Sequence, residues 1–536
     1  MSEQAILFDT RSIQRYIFSG NTLKTNIGAS YLVDHIFEDI LLGTILSPQH
    51  REKYQIDSVD FLSWKEAKEP VKKLPADCYT AYIGGGNALL LFKKKNTDYR
   101  KQIITDFTMQ LLVKCPGLKT GAAMGDIDLS SPERFNTTLD RMYVLLKQNQ
   151  NTVFPQVNIP YTGLTLTCDV NGETANFYDA QGMIDASPRF FSQEVWAKTQ
   201  AAAYANRELA HTFKEQLGNI YQFPAELNCL GQRESENDIA IVHIDGNQMG
   251  VRFNKCQDLT ERSQLSREIK EQTTTSFAKL LETIIAEYNT YADFLDLKNN
   301  FLPIRPLILG GDDITFVCPA RMAITYAKRF MNFMNQDLGI LTVGENHCIS
   351  SCAGVAILPA AYPFFRGYQL AEQLCDAAKA KSRTNSTSTT CWLDFAILHG
   401  EQAPELAQIR QNEYTGVQGN MHFGPYRVDD TADIHSLDAL LRCAAIFRDE
   451  LPRNKVKRMR FVLQHGKADI HTFMEQWHHQ KLQMPDIPQW EMYKESLWYS
   501  AGGASARTPY VDAIEMMEYI PEISHKGGNV HGNVSC

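Results

Sequence analysis

The segment IRPLILGGDDITFVCP (304–319) places two strongly apolar arms on either side of Gly310, Gly311, Asp312 and Asp313. Apolar arms around a short glycine-led turn are typical of a β-hairpin. Glycine and aspartate favour tight turns by themselves, so these four residues alone indicate no more than a turn. The preceding segment, IAIVHIDGNQMG (239–250), begins with an apolar strand that ends in a third acid, Asp245. This acid makes a functional role for the hairpin acids more plausible than the turn alone does.

The elements around this hairpin occur in a recognisable order. The strand 239–250 is followed by a long helical stretch to about residue 290 and then by the hairpin. A helix, RMAITYAKRFMNFMN (321–335), and a strand, HCISSCAGVAIL (347–358), complete the set. The order β-α-β-β-α-β is that of a ferredoxin-like, or palm, domain.

The same order occurs earlier in the chain. AILFDTRSIQRYIF (5–18) begins with an apolar run that meets an acid at Asp9, and GASYLVDHIFEDILL (28–42) is helical. AYIGGGNALLLF (81–92) is a second glycine-turn hairpin. A helix near 97–114 and the strand LKTGAAMGDI (118–127) finish the copy. We therefore predict an α+β fold with two tandem ferredoxin-like palm domains, because an internal repeat is stronger evidence than either copy alone.

This interpretation divides the chain into a first palm (1–150), a connector of mixed structure (151–235), a second palm (236–400) and a C-terminal helical domain (401–536). The connector contains a helical stretch at 192–217, and the glycine-rich end at 524–536 is predicted to be a flexible tail.

Composition excludes several classes of protein. The 536 residues are 44% hydrophobic and 21% charged, with a net charge of -9, which is ordinary for a globular chain and atypical of a sequence-independent DNA binder. No run approaches the ~18 apolar residues of a membrane helix, and the start lacks a signal peptide. We expect a cytoplasmic protein without a membrane partner. The basic run LPRNKVKRMR (451–460) is either a solvated helix face or a local basic patch.

The acids of the second copy predict a metal centre. In a ferredoxin-like sheet the first strand lies beside the hairpin, so Asp245, Asp312 and Asp313 should meet at one edge. Clustered carboxylates repel unless a cation neutralises them, and oxygen-rich clusters suit Mg²⁺ or Mn²⁺. Two such ions could activate a 3′-hydroxyl and hold a leaving pyrophosphate. Gly246, Gly310 and Gly311 lack a Cβ and would let a nucleotide approach closely, and the Gly246 carbonyl could ligate metal.

A predicted helix, YQLAEQLCDAAKAKSR (368–383), carries Lys379 and Arg383 one turn apart on the same face. Such a pair could hold a triphosphate, with the arginine bidentate and the lysine as a point charge. A solvated helix end explains the spacing equally well.

These motifs resemble those of the large palm-domain subunit of type III CRISPR effector complexes, the CRISPR polymerase or cyclic oligoadenylate synthase family. The second copy has an IDGNxMG strand (244–250), a GGDD hairpin (310–313), an SxxG strand (351–354) and an AExLxxxAKxxxR helix (371–383). Further similarities are the opening strand and GAS helix (28–30) of the first copy, its GGGN hairpin (84–87), and TPYVDAIEMMEY (508–519) in the C-terminal domain.

The resemblance implies a nucleotidyltransferase that joins and cyclises ATP, or other nucleoside triphosphates, into a cyclic oligonucleotide signal for antiviral defence. It implies two Mg²⁺ or Mn²⁺ ions held by Asp245, Gly246, Asp312 and Asp313, with the three aspartates catalytic. It also implies nucleotide contacts from Gly246, Asn247, Gly310, Gly311, Ser351, Lys379 and Arg383.

Some features depart from the family pattern. Gly86 and Asn87 occupy the positions of Asp312 and Asp313, so the first palm should not be catalytic. The sequence begins at this palm, and Asp34-His35 has reversed order in a predicted helix, so we predict no HD-type nuclease activity. Only Cys168 and Cys229 fall within 150–235, which argues against a typical zinc site. The chain is short for the family, which leaves open a stand-alone defence enzyme without a guide RNA.

Two other hypotheses remain. The chain could be a scaffold subunit of an RNA-guided effector complex, with vestigial or regulatory nucleotide binding. It could also be a cyclic di-GMP-like synthase, although those enzymes usually pair single palms. The expected partners are nucleoside triphosphates, effector subunits with guide RNA or an activating RNA, and a downstream receptor for the cyclic nucleotide.

Overall fold

The computed structural model shows the two predicted repeats as two separate β-sheets. It describes residues 2–20, 22–67, 71, 73–93, 99–150, 162–180, 182, 188–231, 237–384, 390–400, 405–500 and 505–521. The predicted tail at 524–536 lies outside the described residues. Within these ranges, no helix combines the length and the apolar character needed to cross a bilayer.

The first palm is built on one five-stranded sheet. Its elements are β1 (Ser2–Arg11), α1 (Ile13–Phe18), α2 (Leu23–His35), β2 (Val59–Asp60), β3 (Cys78–Gly84), β4 (Asn87–Phe92), α3 (Arg100–Lys114), β5 (Lys119–Asp128) and α4 (Pro132–Gln150). A π-helical segment (Ile36–Ile45) continues α2, and single 3₁₀ turns lie at Arg51–Tyr54 and Ser63–Lys65. The strand order is β2-β3-β4-β1-β5, so the opening strand lies between the hairpin and the last strand.

The connector contains a small hairpin and a long helix. Its elements are β6 (Phe177–Asp179), β7 (Arg189–Phe191), α5 (Gln193–Thr212), α6 (Lys214–Leu217) and a 3₁₀ turn (Leu227–Cys229). Helix α5 packs directly on α2, and Gly28 permits this, since a Cβ there would lie 1.6 Å from the Lys198 carbonyl oxygen. The glycine of the GAS motif is therefore a helix-packing residue.

The second palm repeats the arrangement with longer helices. Its elements are β8 (Asp238–Gly246), α7 (Met249–Lys255), α8 (Leu259–Ala286), α9 (Tyr288–Ala292), β9 (Arg305–Gly310), β10 (Asp313–Pro319), a 3₁₀ turn (Ala320–Met322), α10 (Ala323–Met334), β11 (Ser351–Pro359), α11 (Phe364–Thr384) and β12 (Trp392–Ile397). The antiparallel core reads β11-β8-β10-β9, which is the ferredoxin-like order. The predicted fold of tandem palms is confirmed.

The remaining elements are mostly helical. They are α12 (Leu406–Glu413), β13 (Gly419–Asn420), β14 (Tyr426–Arg427), α13 (Leu437–Asp449), α14 (Arg453–Leu463), α15 (Lys467–His479), a 3₁₀ segment (Pro488–Tyr493), β15 (Ala506–Arg507) and α16 (Tyr510–Met516). Strand β12 pairs in parallel with β11, and β14 pairs with β12. The second-palm sheet thus takes its outermost strand from a segment that the sequence analysis assigned to the C-terminal domain.

Apolar packing joins the parts of the chain. Buried side chains from both palms, the connector and the C-terminal helices form one continuous cluster. Across the two palms, Phe18 of α1 stacks on Tyr368 of α11 with ring centroids 4.1 Å apart. This contact fixes α1 of the first palm against the helix that carries Lys379.

A buried ionic network attaches the C-terminal helices to the second palm. His422 is 3% exposed, and its Nδ1 and Nε2 lie 3.1 and 3.0 Å from Asp512 of α16 and Asp394 of β12. Arg410 of α12 pairs with the same Asp394. Burial opposes the charged imidazole, but Asp512 and Asp394 outweigh this effect and raise the pKa of His422 to about 9.

This network predicts loss of stability in alkaline solution. The unfolded histidine has a pKa near 6.5, so the stabilisation is complete below that pH and is lost as the pH rises through about 9. We expect a contribution of at most about 3 kcal/mol, measured as the free energy of unfolding by denaturant between pH 6 and 10. The variant His422→Gln, the control for other alkaline groups, should show a correspondingly flatter pH profile. An equal slope in both proteins would contradict the prediction.

Candidate active site

The pairing of β8 with β10 brings two of the predicted acids together. Asp245 and Asp313 are direct cross-strand partners, and Asp312 lies in the two-residue turn between the paired residues Gly310 and Asp313. The Gly246 N–H donates to the Asp312 carbonyl oxygen at 3.0 Å. The structure therefore places all three aspartates at one end of the second-palm sheet.

Two glycines of the motifs make this arrangement possible. Gly311 has φ +66°, a conformation that side-chain-bearing residues rarely adopt, and it begins the turn. A Cβ on Gly246 would lie 2.9 Å from the Cβ of Asp312. The sequence therefore needs glycine at both positions to close the hairpin against the end of β8.

Burial and mutual repulsion change the ionisation of the hairpin acids. Burial and then the charge of Asp245 raise the pKa of Asp312 to about 7. The same two causes raise the pKa of Asp313 to about 7, although the nearby Gln14 amide opposes them. Near neutral pH Asp312 and Asp313 are therefore partly protonated, and a bound cation would favour the release of these protons.

Lys379 supplies a positive charge to this group. Its ammonium pairs with the Asp245 carboxylate from helix α11. Desolvation disfavours the charged amine, but Asp245 more than offsets this and the pKa of Lys379 is raised. Arg383 lies one turn further along α11 and is exposed, so the structure brings only the lysine of the predicted cationic pair into contact with the acids.

Close packing of α11 on β11 holds Lys379 in place. A Cβ on Gly354 would lie 1.9 Å from the Ala371 carbonyl oxygen and 2.5 Å from the Cys375 nitrogen. The glycine of the SxxG motif therefore lets α11 lie directly against β11. Ser351 of the same motif pairs with Gly246 and is fully buried, and its hydroxyl has no hydrogen-bond partner among the described residues.

Asn247 is engaged with the protein itself. Its backbone N–H donates to the Ser350 carbonyl at 2.8 Å, and its side-chain amide donates to the Thr390 carbonyl at 3.1 Å. In this structure Asn247 ties the end of β8 to the neighbouring segments.

The donor set suits a hard divalent cation, but it is not preassembled. Carboxylate oxygens are the ligands that such ions prefer, and the buried Oδ1 of Asp313 has no hydrogen-bond partner within the described part of the chain. In that same part, however, no three Asp, Glu, His or Cys side chains form a metal-holding group. The ion pair with Lys379 explains the difference, because it directs the Asp245 carboxylate toward the ammonium.

Two polar residues near the acids escaped the sequence analysis. His243 Nδ1 lies 3.4 Å from Asp313 Oδ1, and burial lowers its pKa, so the imidazole is neutral. Strand alternation from Asp245 could have identified it, since it lies two residues earlier on the same face. Gln14 comes from α1 of the first palm and reaches Asp313 only through tertiary packing.

The first palm reproduces the hairpin without its acids. Asp9 pairs with Asn87 as Asp245 pairs with Asp313, and the Thr10 N–H donates to the Gly86 carbonyl at 2.9 Å. Gly86 has φ +77°, and a Cβ there would lie 2.4 Å from the δ-methyl of Ile13. Asp9 accepts a hydrogen bond from Gln150 at 2.6 Å. At the first hairpin Ile13 thus fills the space beside Gly86, and Gln150 hydrogen-bonds the carboxylate of Asp9.

Both hairpin tips face one cavity of about 370 Å³. Its walls include Gly85 and Gly86 of the first palm and Gly310, Asp312 and Asp313 of the second. Helix α8 spans the two tips, because Ser266 lies beside Gly84 and Thr273 donates to the Gly311 carbonyl. The cavity is therefore composite: Asp312 and Asp313 line it from the second palm, Asp34 from the first palm and Glu208 from the connector.

This geometry defines a tandem-palm protein in which only the second palm carries an acidic edge. Residues 238–388 match the family model for Cas10/Cmr2, second palm domain. The chain is thus Cas10-like in its second palm, which confirms the predicted resemblance. No curated protein matches the sequence.

Solved structures with a similar chain course belong to type III CRISPR assemblies. The apo Csm1–Csm4 cassette has 12% identity and a TM-score of 0.44, over 91% of this chain and 68% of that one. The Csm1–Csm4 cassette with cA4 has 11% identity and a TM-score of 0.44, over 96% of this chain and 69% of that one. Type III-B Cmr-β bound to cognate target RNA has 9% identity and a TM-score of 0.46, over 96% of this chain and 83% of that one.

Proposed function

We propose that this protein is a metal-dependent nucleotidyltransferase that joins and cyclises ATP, or other nucleoside triphosphates, into a cyclic oligonucleotide signal. The observation that carries the proposal is the cross-strand pair Asp245–Asp313, with Asp312 beside it, at a cavity that both palms line. The family match of the second palm supports the same chemistry. Cas10-like defence and its effector-subunit partners follow as the proposed setting.

The residues at this site include candidates for binding the metal ions and for contacting the triphosphate. Asp312, Asp313 and Asp245 would hold Mg²⁺ or Mn²⁺, which when bound supplies charge neutralisation for in-line transfer between a 3′-hydroxyl and an α-phosphate. Lys379 pairs with Asp245 in the structure, and its ammonium would be free to contact a triphosphate if Asp245 held a metal instead. His243 lies 3.4 Å from Asp313, and the Gln14 amide of the first palm also interacts with this carboxylate.

The cavity has the size and the lining for nucleotide binding. Its volume falls at the lower end of the range of about 300–1,000 Å³ usual for small-molecule sites. Tyr31 and His35 lie in its wall with ring centroids 4.0 Å apart, stacked at 16°. Stacked aromatic rings suit a nucleobase without selecting one, so the base preference is a matter for experiment.

A product assay tests the proposal. The purified chain is incubated with Mg²⁺ or Mn²⁺ and each nucleoside triphosphate, alone and mixed, and products are identified by mass. Cyclic products that disappear with EDTA are the expected result. Absence of product under every mixture, including with added RNA and with candidate effector subunits, would count against the enzyme.

The raised pKa values predict a stability cost in the acid cluster. The fold prefers protonated Asp313, so stability is complete below pH 3.8 and falls as the pH rises through about 7. Asp313→Asn removes this loss. In EDTA at pH 8 the variant should be about 1–2 kcal/mol more stable than the wild type, a modest gain because solvent reaches part of the Asp313 side chain and screens its charge.

Thermal or denaturant unfolding at pH 4 and pH 8 measures this difference. It should vanish at pH 4, where both proteins lack the charge. Excess Mg²⁺ at pH 8 should stabilise the wild type more than the variant. A variant less stable than wild type at pH 8 in EDTA would contradict the prediction.

A scaffold role is the second candidate, and helix α14 favours it. Arg458 and Phe461 are exposed on this helix, the phenylalanine to 63%. Cations beside an exposed aromatic ring suit single-stranded RNA. Co-purification with small RNA that is lost in Arg458→Glu/Phe461→Ala, but kept in Lys101→Glu on the first palm, would support this role. A nucleic-acid-free, catalytically active protein would count against it.

A further inference from the structure

Arg305 is a buried cation without a counter-ion. It begins strand β9 and is 2% exposed. Burial alone lowers its pKa to about 9, and no acidic side chain offsets that effect. Its Nη1 makes one long hydrogen bond, 3.4 Å to the Pro224 carbonyl, and its Nε has no partner in the described ranges. Buried charges are normally paired, so this guanidinium requires an explanation.

Two other arginines that pack into the fold have acidic partners, whereas Arg100 and Arg252 bond backbone carbonyls. Arg329 forms two hydrogen bonds of 2.7 Å with Glu287, and Arg410 pairs with Asp394. The ring of Phe223 lies 5.9 Å from the Arg305 guanidinium and offers only a weak cation–π contact. The positive charge of Arg305 is therefore left uncompensated inside the protein.

The residue also belongs to the wall of a cavity. Arg305 lines the same 370 Å³ cavity as Asp312 and Asp313. The cavity follows the edge strand β9, every residue of which, from Arg305 to Gly310, contributes to its wall. Five strand steps separate its ends by about 16 Å. Along this strand the aspartates of the hairpin lie at one end and Arg305 at the other, at a separation beyond a Debye length of about 10 Å. Asp34, Glu208 and Lys270 also line the cavity.

We propose that Arg305 is the anion-binding end of this cavity and takes the phosphate group of an elongated phosphorylated ligand. A guanidinium fork matches a phosphate with two parallel hydrogen bonds, and Arg305 has donors to spare. The apolar wall between the two ends, which includes Leu307, Leu309 and Phe213, would cover the uncharged part of the ligand.

The identity of the ligand deepens the proposed function. If the acids join nucleotides, the ligand is a linear nucleotide chain whose 3′ end lies at Asp312 and Asp313 and whose 5′-phosphate reaches Arg305. That assignment rests on the proposed function. The anion site does not, because it follows from the unpaired guanidinium and the cavity alone.

Thermal unfolding of the full chain in EDTA tests the anion site without metal. Sodium tripolyphosphate is compared with sodium chloride at equal ionic strength. The wild type should gain a saturable rise in melting temperature with tripolyphosphate only. Arg305→Met should melt higher than wild type without the anion, because an unpaired buried charge is gone, and should not respond to tripolyphosphate.

The matched control is Arg329→Met. It breaks the pair with Glu287, so it should melt lower than wild type yet keep the full response to tripolyphosphate. No saturable response in wild type, or an unchanged response in Arg305→Met, would overturn the proposal. If Arg305→Met does not fold, Arg305→Lys decides: it keeps the charge and loses the fork, and it should bind roughly tenfold more weakly. Unchanged binding by the lysine variant would then overturn it.

Separate titrations of two dinucleotides show whether the bound phosphate belongs to a nucleotide chain or to a free polyphosphate. Diadenylate with a 5′-phosphate and diadenylate with a 5′-hydroxyl are each titrated in EDTA. A preference for the 5′-phosphate of roughly tenfold or more, lost in Arg305→Met, identifies the end of a nucleotide chain. Binding of tripolyphosphate alone identifies a free polyphosphate. Neither outcome depends on catalysis, so failure of the product assay and failure of this site are separate results.

Discussion

Replacing Asp312 and Asp313 together by alanine is expected to reduce nucleotide joining by about three orders of magnitude or more. The reason is positional: Asp313 faces Asp245 across the β8–β10 pair, and Asp312 precedes it in the hairpin turn. Without these oxygens no acidic group remains on the hairpin to hold a divalent cation. The readout is product formed per hour with Mg²⁺, identified by mass.

The fold should survive this change. Both side chains lie at a sheet end that is costly to charge, since burial and Asp245 raise the pKa of each to about 7. Their removal should leave the melting temperature equal or higher in EDTA. An inactive variant with a wild-type or higher melting temperature therefore reports on chemistry and not on folding.

Asp9→Asn is the matched control. Asp9 holds the same register position in the first palm that Asp245 holds in the second, and Gln150 already donates to it. An amide at position 9 should leave synthesis nearly unchanged, whereas Asp245→Asn should abolish it. Equal losses in both variants would show that the first palm is catalytic, and product from the Asp312/Asp313 double variant would exclude the proposed site altogether.

Gly354→Ala is expected to lower both stability and activity. A Cβ at this position would lie 1.9 Å from the backbone oxygen of Ala371, so α11 must move away from β11. Overpacking of this kind costs about 1–3 kcal/mol, and here the obstacle is backbone that cannot rotate aside. Since α11 carries Lys379, its displacement also withdraws the ammonium from Asp245.

Denaturant unfolding and the product assay measure the two effects separately. We expect the free energy of unfolding to fall by about 2–3 kcal/mol and synthesis by at least about tenfold in protein that remains folded. Gly250→Ala is the control: it changes a glycine of the IDGNxMG motif, and a Cβ there meets no atom within 4 Å. That variant should be neutral or slightly more stable. Wild-type behaviour of Gly354→Ala would refute the packing argument.

The positions of the candidate site residues could largely be predicted, because they follow from the local order of strands, turns and helices in the sequence. The acids of the second palm follow or interrupt apolar strands, and the ferredoxin-like order then fixes their neighbours. The mapping of Gly86 and Asn87 onto Asp312 and Asp313 needed only the repeat, and the two hairpins do pair in the same register. Lys379 was found from helical spacing, although spacing alone did not separate it from Arg383.

Other features required tertiary packing. The parallel strand β12 and the added strand β14 depend on pairing between distant segments, which leaves no local pattern. His422, Asp394 and Asp512 are far apart in the chain, and each is unremarkable in its own segment. Their charges become informative only because the fold removes them from water together.

The sequence by itself determined the two palms, their order, and which of them carries acids, because strand alternation, glycine turns and motif spacing are local properties. Tertiary structure decided the rest. It places both hairpins at one cavity and pairs Lys379 with Asp245. It also brings Gln14 of one palm to Asp313 of the other and buries Arg305 without an acidic partner. Each of these depends on distances between segments that are remote in sequence. Burial and charge at such contacts exist only once the chain has folded.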